Sequence, residues 1–385
     1  MKLTIISSIL NHGSILQEIG TGLTVLCSMN DMERINVVTW VKDSHEPLEF
    51  KKNVSIIECF DSKHPTSIFR TLKKVINDDS DVFLYNIMPT SYGTSLIANF
   101  VGLISPIILK KFFHKKVIVI YHNSIHTNDF RALGYHGTFN FIKSVVIRNI
   151  EKFMFKTIVT YFLSSIYTSR LLTINKNFKV KMLELPYLQT IGTLMLNNVL
   201  NKESISCSSN IVPVILLFGN WGPQKDPENS LKALKKIHEM GVKFKLIIAG
   251  DINVHFPSLN VRINGLFKTY SEIIYQNLGR IKEKDLMNMY LNSDLIIIDY
   301  NAPGGFSSVI ASAMFFQKFI ISRRFDEFVS QTKDYDKIIF YNENELEMTI
   351  RKYIDKVHPQ IGTEEIYILN KIEKMKIEIK SILTF

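Results

Sequence analysis

Cysteine is scarce and unpatterned in this chain. Cys27, Cys59 and Cys207 are three scattered residues in 385, an odd count without metal-ligand spacing. That excludes a disulfide framework or a cysteine-held zinc and points to reduced thiols filling a core in a cytoplasmic protein. Long apolar runs are missing too: no stretch reaches membrane-spanning length without a charge or a helix breaker. The opening Met1-Lys-Leu-Thr-Ile-Ile-Ser7 has too short an apolar run for a signal peptide and reads as a first strand. The full dinucleotide glycine fingerprint is absent, so NAD is not read here, and the Walker spacing is absent as well. No Asp-x-Asp pair is placed to hold a metal, since Asp78-Asp-Ser-Asp81 reads as a polar loop before a strand. Charged residues make up only 21% against 46% hydrophobic, which excludes a largely disordered chain.

One quantity is out of balance. The formal net charge is +10, for which nucleic acid, an anionic membrane surface and a phosphorylated substrate are all suitable partners.

The chain is organised around Asp294 to Ser322. Asp294-Leu-Ile-Ile-Ile-Asp-Tyr300 is an apolar run of strand length, the pattern of a strand buried on both faces of a parallel sheet. A loop containing Pro303, Gly304, Gly305, Ser307 and Ser308 follows, then an apolar segment of two helical turns, then the strand Phe319-Ile-Ile-Ser322. Small residues let a ligand's charged groups approach the backbone, and a helix start offers free N–H groups to an anion. An ordinary βα turn without a ligand fits the same residues.

Strand-like runs recur at Leu3 to Ser7, Ile35 to Val41, Val54 to Cys59, Val82 to Tyr85, Val117 to Tyr121 and Ile158 to Leu163, with helix-compatible segments between most of them. Such alternation predicts a doubly wound parallel sheet, with ligands at its carboxyl edge. The turn Asn11-His12-Gly13 follows the first strand, where His12 is either a ligand contact or a turn residue. His122 follows the run ending at Tyr121. It is a candidate general acid or base near neutrality, or else a strand-end histidine bonded to backbone.

The most apolar and basic part of the chain lies between Leu96 and Lys156: Leu96 to Leu109 runs into Lys110, Lys111, His114, Lys115 and Lys116, and Phe141 to Phe155 alternates with Lys143, Arg148, Lys152 and Lys156. An anionic bilayer surface and core helices with snorkelling lysines both account for this. A nucleic-acid groove does not, because no binding motif accompanies the lysines.

Strand patterning lapses from Ile191 to Val212, and Asn198 to Asn210 is polar, which marks a linker. A second series then starts: Val214 to Phe218, the turn Gly219-Asn220-Trp-Gly-Pro-Gln-Lys225-Asp226, a helix opened by Pro227, Phe244 to Ala249 ending in Gly250-Asp251, and Ile274 to Leu278 ending in Gly279-Arg280. Lys225 before a helix start adds charge to an anion site, or is a solvated loop lysine. The expected organisation is an α/β protein of two Rossmann-like domains. These are residues 1–190, a linker at 191–212, residues 213–360, and a C-terminal helix over 361–385 packed across the domains.

In its second half the chain resembles the retaining glycosyltransferases of the GT-B fold, family 4 in particular. The likeness is carried by Phe218-Gly219 to Lys225, Leu246-Ile-Ile-Ala-Gly-Asp251, Tyr290 to Tyr300 and Gly304 to Ile321. The family usually places two glutamates, seven residues between them, where this chain has Gly304 and Ser312. Ala313-Met314 and Ile320-Ile321 match, while Gln317 and Phe319 replace a Gly and a Pro. The resemblance implies two lobes facing across a cleft and a nucleotide-sugar donor with no other cofactor. It also implies a glycan or lipid-linked acceptor, no required metal, and a location in the cytoplasm or on the membrane's cytoplasmic face. It implies donor contacts at Gly219, Asn220, Lys225, Asp251, Arg280, Gly304, Gly305, Ser307, Ser308 and Ser312, a reaction-centre loop at His12 and Gly13, and a catalytic role for His122. A nucleotide-sugar epimerase, or a catalytically silent relative that binds a nucleotide sugar or a partner enzyme, shares the fold, and the missing glutamates speak for the silent relative.

Overall fold

The computed structural model describes residues 1–7, 15–41, 50–61, 63–88, 92, 95–122, 124–126, 138–183, 212–252, 257–279, 281, 283–302, 307–354 and 364–384. The chain divides into two compact units. The first takes in Met1–Arg131, Tyr135–Asn201 and Asn370–Phe385, and the second Ala132–Gly134 and Lys202–Leu369.

The first unit carries β1 (Lys2–Ile6), α1 (Ile15–Ser28), β2 (Arg34–Trp40), β3 (Val54–Phe60), α2 (Ser67–Ile76), β4 (Val82–Ile87), α3 (Leu96–Phe112), β5 (Lys116–Tyr121), α4 (Thr138–Thr157), β6 (Val159–Phe162), α5 (Ser165–Ile174) and β7 (Val180–Met182). Its strands form a seven-stranded sheet in the order β3-β2-β1-β4-β5-β6-β7, parallel throughout. β4 is buried along its whole length and β5 at all but its first residue, because helices cover both faces of such a sheet. Helix starts are fixed by side-chain caps: the Ser95 hydroxyl accepts from Ala98 N–H and the Ser164 hydroxyl from Tyr167 N–H. Gly102 is a packing glycine, since a Cβ there would lie 2.0 Å from the ring of Tyr92, which stacks on Trp40 at 5.4 Å.

Asp78, Asp79 and Asp81 sit at the amino edge of this sheet. Asp78 accepts from Thr4, Asn36 and the Ser80 N–H, Asp79 pairs with Lys2 and Arg34, and Asp81 accepts from the Lys2 N–H. They tie the starts of β1, β2 and β4 together on the edge opposite His122.

The second unit carries β8 (Val214–Phe218), α6 (Glu228–Glu239), β9 (Lys245–Ala249), a 3₁₀ turn (Pro257–Leu259), α7 (Asn260–Thr269), β10 (Ile274–Asn277), α8 (Glu283–Leu291), β11 (Leu295–Ile298), α9 (Ser308–Phe315), β12 (Phe319–Arg323), α10 (Asp326–Gln331), β13 (Ile338–Tyr341), α11 (Leu346–Tyr353) and the start of α12 (Glu364–Thr384). The sheet order is β10-β9-β8-β11-β12-β13, again all parallel. β11 is buried throughout and α9 from Val309 to Phe315, matching the uninterrupted apolar pattern of both.

α12 buries Ile372, Met375, Ile379, Ile382 and Leu383, and Lys116 Nζ donates to the Leu383 carbonyl within the first unit. Cys27 is buried, which pushes its thiol up to about 12, and Cys59 is half-buried; both are free. Cys207 lies outside the described residues, as does the linker apart from Val212. Among the described residues no helix is long and apolar enough to cross a membrane.

Candidate functional site

In the second sheet the strand order reverses between β8 and β11, so the loops after these two strands part from one another at the carboxyl edge. That divergence is where open α/β sheets bind ligands. Here the loops are laced together. Asn301 N–H donates to the Gln224 carbonyl at 2.8 Å and its side-chain amide to the Pro223 carbonyl at 3.0 Å. On the other side Gly219 N–H reaches the Ala249 carbonyl at 3.2 Å and Trp221 N–H the Asp251 carbonyl at 2.7 Å. Gly250 sits at φ +115°, and a Cβ there would fall 1.7 Å from the Gly219 carbonyl oxygen. Only glycine allows these two loops to touch.

Lys225 is half-buried in this lacework. Its stem lies against Gly219, where a Cβ would stand 3.4 Å from Lys225 Cδ, and its ammonium rests 4.8 Å from the centre of the Tyr300 ring. Among the described residues it has no carboxylate partner, whereas its neighbour Asp226 is bound to Arg262 at 2.6 Å and Glu228 to the same guanidinium at 2.5 Å. Arg262 thus takes up the acids next to Lys225 and leaves the ammonium to the aromatic face. Tyr300 and Trp221 are buried, and among the described residues neither the Tyr300 hydroxyl nor the Trp221 indole N–H has a hydrogen-bond partner.

Ser307 begins the descent into α9. Its hydroxyl accepts from Ile310 N–H at 3.3 Å, capping the helix, while Gln331 grips its backbone from both sides: Oε1 accepts from Ser307 N–H at 2.9 Å and Nε2 donates to the Ser307 carbonyl at 2.8 Å. The α9 start is therefore fixed by a residue from α10 that sequence reasoning did not single out. Ser308 is half-buried at the first helical position, and Ser312 is buried one turn on. Gly219 is buried, Asn220 exposed, and the Asp251 carboxylate accepts from the Ile252 N–H at 2.7 Å. Arg280, Gly304, Gly305, His12 and Gly13 lie outside the described residues.

Asp299 was also missed. It ends the β11 run, accepts from the Tyr341 hydroxyl at 2.5 Å and lines a cavity of about 180 Å³ with Arg323 and Tyr341. Burial raises its carboxyl, with the Tyr341 bond pulling the other way. A carboxylate as the penultimate residue before the carboxyl-edge loop was the available signal.

The first unit has its own carboxyl-edge cluster. Ser7, Asn86 and His122 follow or end β1, β4 and β5, which are neighbours in the sheet, and all three are buried. Asn86 Nδ2 donates to Ser7 Oγ at 2.8 Å and Asn86 Oδ1 lies 2.7 Å from His122 Nε2. With the Asn86 amide so oriented, His122 Nε2 carries the hydrogen and Nδ1 is the acceptor. Burial pushes the imidazole down to about 4. Desolvation thus favours the neutral imidazole, with Nδ1 as its acceptor atom.

Just beyond, fully buried Glu151 from α4 accepts from the Tyr121 hydroxyl at 2.8 Å, the Ser124 hydroxyl at 2.7 Å and Ile125 N–H at 3.1 Å, so it moulds the turn after β5. Burial pushes its carboxyl up to about 7 despite these donors. A carboxyl raised on folding holds more protons in the native state, so its contribution to stability is complete below the unfolded pKa and is lost as pH rises through about 7. Glu151→Gln removes that loss. The variant's stability relative to the wild type is expected to be higher at about pH 8 than at about pH 5, as read from urea midpoints; an unchanged difference at the two pH values would show that Glu151 titrates normally.

No curated protein sequence matches this chain. Residues 208–359 match the family described as Glycosyl transferases group 1. Anabaena HepE in its complex with UDP-glucose is similar over 100% of this chain and 99% of its own, with a TM-score of 0.66 at 12% identity. The fold is GT-B. Two further GT-B relatives are alike in the same way. Sucrose-phosphate synthase from Thermosynechococcus elongatus has a TM-score of 0.60 at 11% identity, over 100% of this chain and 95% of its own. WaaG, a glycosyltransferase involved in lipopolysaccharide biosynthesis, has 0.56 at 11%, over 99% and 95%. At such identities the likeness speaks for the GT-B fold, while the family match falls on the second unit, where the laced loops lie.

Proposed function

We propose that this GT-B protein is a retaining, family-4-like glycosyltransferase that moves a hexose-type sugar from a nucleotide donor to a glycan or lipid-linked acceptor. The observation that carries the reading is Lys225: a cation without a carboxylate partner among the described residues, held on Gly219 and Tyr300 where β8 and β11 part. That is where a diphosphate leaving group would need a positive charge. The family match over residues 208–359 and the UDP-glucose held by HepE support it.

In the proposed reaction the bond from the sugar's anomeric carbon to the diphosphate oxygen breaks, and the electron pair leaves with the diphosphate. An acceptor hydroxyl forms the new bond on the same face and gives its proton to the departing phosphate oxygen. Lys225 and the capped start of α9 stabilise the charge that develops there. His122, oriented by Asn86, keeps Nδ1 as a hydrogen-bond acceptor at the carboxyl edge of the first unit.

A second reading is favoured by Gly304 and Ser312, which stand where the resembling family has glutamates. Under it the site binds a nucleotide sugar without turning it over. A panel of nucleotide sugars separates the two. The transferase reading expects one of them to raise the melting temperature and to be hydrolysed or transferred. A raised melting temperature with no turnover on any acceptor would leave the binder, and no shift with any nucleotide sugar would remove both.

A further inference from the structure

We infer that the first unit docks on an anionic lipid bilayer through α3 and α4, with one hydrocarbon chain of the leaflet seated in the groove between them. The inference does not depend on the sugar-transfer reading.

The two helices leave an apolar groove of about 300 Å³, lined by Leu96, Ile97, Phe100, Ile142, Val146 and Ile150 among others. Five of these are large apolar side chains open to solvent: Ile97 at 62%, Ile142 at 58%, Phe100 at 46%, Val146 at 43% and Leu96 at 40%. The one neutral polar residue in the lining, Asn99, directs its amide back into the fold, accepting from Tyr92 N–H and donating to the Ser95 carbonyl. Further exposed apolar side chains stand on the two helices, or just past them, at Val145, Phe153, Phe112 and Phe113. A monomeric soluble surface rarely exposes so many large apolar side chains on one pair of helices.

What distinguishes a bilayer from another protein is the charge around this band. α3 contains no acidic residue, and the one acid of α4, Glu151, is fully buried under the turn after β5. Every exposed charge on the two helices is therefore basic: Lys110, Lys111, Arg148, Lys152 and Lys156 are exposed, and Lys143 lines the groove half-buried. Lys111 places its ammonium 5.6 Å from the Phe153 ring, so charge and apolar surface are interleaved. An apolar face whose own helices expose only cations among the described residues matches an acyl layer beneath anionic headgroups. α3 carries Gly102 and Pro106 within its length, and neither helix is long and apolar enough to cross a membrane, so the pair would lie on the surface.

Flotation of the full chain with lipid vesicles tests this. The wild type is expected to rise with vesicles containing phosphatidylglycerol, to rise poorly with pure phosphatidylcholine, and to be released in part by salt. Replacing Lys110, Lys111, Lys152 and Lys156 by Gln should lower partitioning about tenfold or more. Phe100→Ser with Ile142→Ser should remove the fraction that salt does not release. All six positions are exposed, so unchanged melting curves control for folding. Failure of the wild type to float with anionic vesicles would overturn the inference. So would flotation untouched by both sets of substitutions, or a vesicle-free dimer that Phe100→Ser and Ile142→Ser dissolve, which would make the occupant a second copy of this chain.

Discussion

Lys225→Ala should lower kcat/KM for the nucleotide-sugar donor by roughly a hundredfold to a thousandfold, the loss typical when one group that stabilises a leaving anion is removed. Most of it is expected in kcat, because charge on the diphosphate grows as the bond to the sugar breaks. The fold should survive. Lys225 has no ion pair among the described residues, and what it gives up is contact with Gly219 and a cation–π contact of about 1 kcal/mol with Tyr300. Lys225→Met keeps the stem and drops the charge, so it should melt like the wild type and turn over like the alanine variant. Restored turnover in Lys225→Met would mean that packing, not charge, is what the position supplies.

Gly250→Ala should be the most damaging single methyl in the second unit. Two costs add. At φ +115° an L-residue is strained, and the new Cβ would stand 1.7 Å from the Gly219 carbonyl oxygen, which is backbone and has no rotamer to escape into. Strain of this kind costs about 1–2 kcal/mol and overpacking about 1–3 kcal/mol, so a loss on the order of 3 kcal/mol is expected in the unfolding of this unit. Relief would push Gly219 away from Ala249 and Trp221 away from Asp251, which are joined at 3.2 Å and 2.7 Å. Donor binding should therefore fail even in molecules that remain folded. Calorimetric melting together with nucleotide titration reads both effects. A variant that melts and binds like the wild type would show that the β8 and β9 loops are not held as described.

Much of this arrangement was legible in the residues themselves, for a physical reason. Central parallel strands are buried on both faces, so β5, β8 and β11 appear as unbroken apolar runs whatever surrounds them. Of the four edge strands, β3 and β10 were still readable as short runs, while β7 and β13 lack that signature. β7 is three residues long with two of them exposed, and β13 is half-exposed at three of its four positions, so neither announced itself. The site divides along the same line. Lys225 and Ser307 were visible because they flank turns and helix starts, which are local events. Gln331, Arg262 and Asp299 act through partners 24 to 69 residues away in sequence, and only tertiary packing brings them to the loops. His122 shows the limit most plainly: its place at a strand end could be read from the sequence, but its neutrality depends on a burial that no neighbouring residue reveals.

Hydrogen exchange measured with and without the nucleotide sugar that the panel selects tests the central claim most directly. The ligand's diphosphate, if it lies where β8 and β11 part, should protect the amides of residues 219–226 and 307–312 while leaving the Asp78–Asp81 edge of the first unit unchanged. Protection that spares both segments while the sugar nucleotide is demonstrably bound would place the donor elsewhere and contradict the account.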